Sequence, residues 1–164
     1  MDAARDFYQA LSGVSFTLLG LWFGVMQFAH GGWRSDPARH RATLHIALHF
    51  FLPGTMAMAS LLSSGTDGGL LWRVVFVLGG LIGFAESASF LGVPRTVPGP
   101  GGRVLPLLDP LLYAFVVVIA FVPGPVGALT PLQLEGLATG LLFLTGLCYV
   151  WLAFAERDMA ARAP

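Results

Sequence analysis

Two histidines, His45 and His49, stand four residues apart inside an apolar stretch, Ala42–Leu62, that is long enough to cross a bilayer. On a helix the two imidazoles share one face and sit about 6 Å apart along the axis. A second apolar stretch carries Glu86, an acid with no helix-end position to explain it. Ionisable side chains at such positions must face other helices or a water-filled cavity, because lipid does not solvate them. Three chemistries suit His45, His49 and Glu86. A titratable imidazole beside a carboxylate can pass protons or attract cations. Two histidines and an acid form a sensible ligand set for Zn or Fe. Histidines from two spans, His30 with His45 or His49, could hold haem. A metalloprotease-type helix would need Glu directly after the first histidine, where Ile46 stands. There is no phosphate-binding glycine loop and no Cys-x-x-Cys pair.

The neighbourhood expected around that face follows from helix register and depth. Met56 and Ser60 continue the stripe of His45 and His49. Gln27 and His30 close the preceding span at the same membrane level. Asp109 falls near that level too, although Asp109-Pro110 reads first as an N-cap pair opening a helix. Glu135, just after Thr130-Pro131-Leu132-Gln133, reads as a first-turn acid placed by the helix dipole. The single cysteine, Cys148, reads as a small packing residue.

The elements that must hold these residues are membrane helices. The chain has 164 residues, 55% hydrophobic and 11% charged, with no net charge. Soluble domains carry about 25% charged residues, so the composition is that of an all-α, polytopic membrane protein forming a single transmembrane domain, with the lipid bilayer as its surroundings. A neutral chain gives no reason to expect a nucleic-acid partner. Five transmembrane helices are expected, over about 7–29, 41–63, 70–91, 107–122 and 131–154. The Gly/Pro-rich stretch 92–106 is expected to be a loop. Every basic residue is an arginine. Arg34, Arg39, Arg41, Arg95, Arg103, Arg157 and Arg162 would share one side, against Arg5 and Arg73 on the other. The positive-inside rule then puts the N-terminus outside and the C-terminus in the cytoplasm, in a bacterial inner (plasma) membrane.

The pairs Gly20/Gly24, Gly79/Gly83 and Gly136/Gly140 permit close helix contact. Five short spans enclose little volume, so a pore is more easily built between subunits of a homo-oligomer. The sequence therefore reads as a small transport protein, a proton- or cation-conducting channel, rather than an enzyme. A membrane-bound metal or haem enzyme, or a structural subunit with an inert polar cluster, are the alternatives.

Overall fold

The computed structural model describes residues 3–29, 36–63, 68–91 and 100–162. Their fold is all-helical: α1 (Ala3–Ala29), α2 (Pro37–Leu62), α3 (Leu70–Ser89), α4 (Pro100–Ile119) and α5 (Pro131–Arg162). The starts are written in the sequence. Pro37, Pro100 and Pro131 each occupy a first helical position, where a missing N–H costs nothing. At α5 the capping box forms as expected: the Thr130 N–H donates to Gln133 Oε1 at 2.8 Å and the Gln133 N–H to Thr130 Oγ1 at 3.2 Å. At α2 the Arg39 N–H reaches the Asp36 carboxylate at 3.4 Å, a long cap.

Four helices, α1, α2, α3 and α5, are long and apolar enough to cross a membrane. The apolar part of α4, Val104–Ile119, is shorter. The helix itself begins at Pro100, so 100–106 belongs to α4 and not to a loop. Residues 30–35, His30 among them, and residues 92–99 lie outside the described residues.

The second helix is the centre of the bundle. Some 61% of its apolar window is buried, against 17% to 33% for the other three long helices. It packs on α1, α3 and α5, while α4 packs on α3 and α5. Met56, Phe76, Val116 and Leu142, one from each of α2 to α5, are fully buried between them. Outward faces carry Leu21, Leu78, Leu111, Val118, Leu137 and Trp151. In lipid such a core is held by close packing more than by exclusion of water. Two of the three glycine pairs serve it. A Cβ on Gly79 would meet the Met56 sulfur at 3.1 Å, one on Gly83 the Tyr113 ring, and ones on Gly136 and Gly140 the Phe7 ring. Gly20 and Gly24 differ, since a Cβ there would meet nothing within 4 Å among the described residues. Cys148 also faces outward rather than into the packing.

Candidate metal centre

His45 and His49 lie one turn apart on the buried face of α2, 3% and 0% exposed. Asp109 of α4 is fully buried against them. It is the tenth residue of α4, so it caps nothing. This corrects the N-cap expectation: Pro110 marks an interior kink-prone position, where the ring removes one backbone hydrogen bond, and the helix runs through it. Glu86 of α3 completes the group. Three helices thus bring His45, His49, Glu86 and Asp109 together, and α5 closes over them.

The hydrogen bonds fix how each ring is turned. His49 Nδ1 lies 2.9 Å from the His45 carbonyl oxygen, an atom that only accepts, so Nδ1 carries the proton. His45 Nδ1 lies 2.6 Å from Glu86 Oε2 and donates to that carboxylate. Both rings therefore turn Nε2 toward the interior. Each Nε2 meets the same atom, Asp109 Oδ2, at 3.5 Å from His45 and 3.4 Å from His49. None of these contacts is a well-formed hydrogen bond, although both imidazoles and the Tyr149 side chain stand close enough to act on the Asp109 carboxylate as hydrogen-bonding neighbours. Buried polar atoms are ordinarily paired, so this loose meeting of polar atoms is the place for a proton or a cation to be shared.

Two fillings are chemically available, protons or a cation. Charge-assisted N–H···O bonds close to about 2.7–2.9 Å, well inside the observed separations. Ligands about 2.0–2.1 Å from a tetrahedral ion stand about 3.3–3.4 Å apart. The spacing matches the second case. The three ligand atoms lie within 4.8 Å of one another. Two imidazoles and a carboxylate suit Zn or Fe rather than Mg or Ca. Glu86 then stands behind His45 as the outer carboxylate that sets the tautomer of a metal-ligating histidine.

Aromatic rings seal the group. Phe90 stacks on His45 at 4.5 Å and 29°, and the Arg41 guanidinium lies 4.6 Å over the same Phe90 ring. Arg41 also donates to the Ser89 hydroxyl. Tyr149 stands edge-on to His45 at 4.8 Å and to His49 at 5.3 Å, and Tyr113 edge-on to His49 at 5.9 Å. Gly146 of α5 lets the backbone pass His49, because a Cβ there would lie 2.7 Å from the His49 Cβ. Rings of Phe90, Tyr113 and Tyr149 thus pack directly on the two imidazoles.

The remaining expectations divide. Met56 and Ser60 share the α2 stripe but not the centre. Met56 is packed on Gly79, and the Ser60 hydroxyl donates to its own helix at the Met56 and Ala57 carbonyls, 2.9 and 3.0 Å. Gln27 is exposed on α1. His30 lies outside the described residues. Glu135 is not a solvated first-turn acid. It is the fifth residue of α5 and fully buried. Tyr113, Tyr149, Phe90 and Gly146 are members of the site that sequence reasoning does not single out. Tyr113 carries one signal, its i+4 spacing from Asp109. The chain matches no protein-family model, no curated protein and no solved structure.

Proposed function

We propose that this chain is an integral membrane metalloprotein holding one divalent transition-metal ion at His45, His49 and Asp109, with Glu86 orienting His45. The observation that carries the reading is the convergence of two buried Nε2 atoms on Asp109 Oδ2 at 3.5 and 3.4 Å. Charge supports it as well: with both carboxyls ionised and both imidazoles neutral, one divalent cation brings the group to zero. The proposal includes α4 as a fifth span, since Asp109 must lie at the depth of His45 and His49 in α2. It keeps the arginine-derived orientation, N-terminus outside, in a bacterial inner membrane. Self-association would use Gly20 and Gly24, whose added Cβ atoms meet nothing among the described residues.

The test is metal analysis of purified, detergent-solubilised protein after exposure to Zn, Fe or Co and removal of excess ion. One tightly held equivalent per chain is expected, falling to none in His49→Ala. A wild-type chain that retains none of these ions would sink the proposal. A second reading, cation transport through the same ligands, draws on Glu135, a further buried acid close to the start of α5. Metal uptake into proteoliposomes separates a transported ion from a resident one.

A further inference from the structure

Three protein ligands leave a tetrahedral ion one position short, and such open positions belong to sites that bind a further molecule. One group beside the centre has no other assignment. Tyr113 is 1% exposed, and its hydroxyl makes no hydrogen bond among the described residues. It follows Asp109 by one turn on the same face of α4, stands edge-on to His49, and its hydroxyl lies within electrostatic reach of Asp109 and Glu86. The placement is built into the neighbouring helix: a Cβ on Gly83 would overlap Tyr113 Cε1, so only glycine admits the ring there. A buried phenol held beside a ligand set, with its O–H unused, is a donor waiting for an acceptor.

Resting on the metal reading above, we infer that the ion's fourth position is open and takes a small exogenous oxygen- or nitrogen-donor ligand, water or a small anion, held by a hydrogen bond from the Tyr113 hydroxyl. The cation and the O–H select the same chemistry, an atom with a lone pair or negative charge. The surrounding rings of Phe90, Tyr113 and Tyr149 keep the ligand small. Access runs past Glu86, whose side chain is 17% exposed while those of His45, His49 and Asp109 are at most 4% exposed.

The experiment uses the whole chain in detergent, loaded with Co(II) as a spectroscopic stand-in and titrated with azide. The expected result is a saturable change in the visible cobalt spectrum. Tyr113→Phe keeps the ring on Gly83 and should keep one cobalt per chain while binding azide at least tenfold more weakly. If cobalt binds but azide leaves the spectrum unchanged, the fourth position is closed and the inference fails while the metal reading stands. Equal azide affinity in wild type and Tyr113→Phe would remove the phenol from the site. A folded Tyr113→Phe chain that has lost cobalt would make the phenol a ligand and likewise overturn the open position. Failure of wild type to take up cobalt at all would defeat the metal reading itself.

Discussion

Acids are buried toward opposite ends of the helical bundle, in different company. At one, Glu86 meets His45, and the Nε2 atoms of His45 and His49 converge on one oxygen of Asp109. Near Pro131, Glu135 is fully buried and neither of its carboxyl oxygens is hydrogen-bonded among the described residues. Its charged and phenolic neighbours are already engaged. The Tyr8 hydroxyl donates to the Leu132 carbonyl at 2.7 Å. The Arg73 guanidinium donates to the Ala120 and Val122 carbonyls at the end of α4 and lies 4.6 Å over the Trp72 ring. A buried unpaired acid is therefore not sufficient to mark a metal centre. What separates the two ends is convergence, since several lone pairs aimed at one point define a ligand and one carboxyl does not.

That contrast can be broken by substitution, beginning where the effect should be greatest. Asp109→Ala removes the only anionic ligand, so metal affinity should fall by more than the roughly 10–100-fold typical of outer-shell partners, read by competition with a chromophoric chelator. Glu86→Gln keeps the shape and loses the charge behind His45. It should weaken metal binding within that range of about 10–100-fold, with full occupancy recovered at high metal. Gly83→Ala should lower unfolding stability in detergent by about 1–3 kcal/mol, because the added methyl overlaps the Tyr113 ring. Glu135→Gln belongs to the other end and should leave metal affinity within about twofold, as expected of sites that share no partners. A change of about tenfold there would mean that the two ends communicate, and would favour the transport reading. Gly20→Leu should be the mildest for the fold, within about 0.5 kcal/mol, while reducing self-association on a sizing column.

Much of this is legible in the amino-acid sequence. Apolar length locates the helices, and depth singles out His45, His49 and Glu86, because charge inside a span has no bland use. Asp109 is visible there but invites the wrong assignment. Asp-Pro is a helix-start signal, and Pro100, Pro106 and Pro110 punctuate the sequence as a loop would. Packing against α3 and α5 carries the helix through them, as membrane helices tolerate. Glu135 misleads for the opposite reason. Gln133 fills the capping role, leaving Glu135 free to turn inward. Tyr113, Tyr149 and Phe90 cannot be told from ordinary core aromatics by sequence, because their role depends on which helices become neighbours. Gly146 is legible only once α5 is laid against His49.

The order of these residues along the chain has a consequence for how the protein is made. His45, His49 and Glu86 are synthesised first, Asp109 comes 60 residues after His49, and Tyr149 and Gly146 of α5 come last. At about 5–20 residues per second, roughly 3–12 s separate His49 from Asp109, and several more pass before α5 follows. During that interval the histidines lie in a half-assembled bundle, open on the side that α5 later covers. In the finished protein the group is reached only past Glu86; while the ribosome is still at work a whole side stands open, so the proposed ion can enter during biosynthesis as well as afterwards.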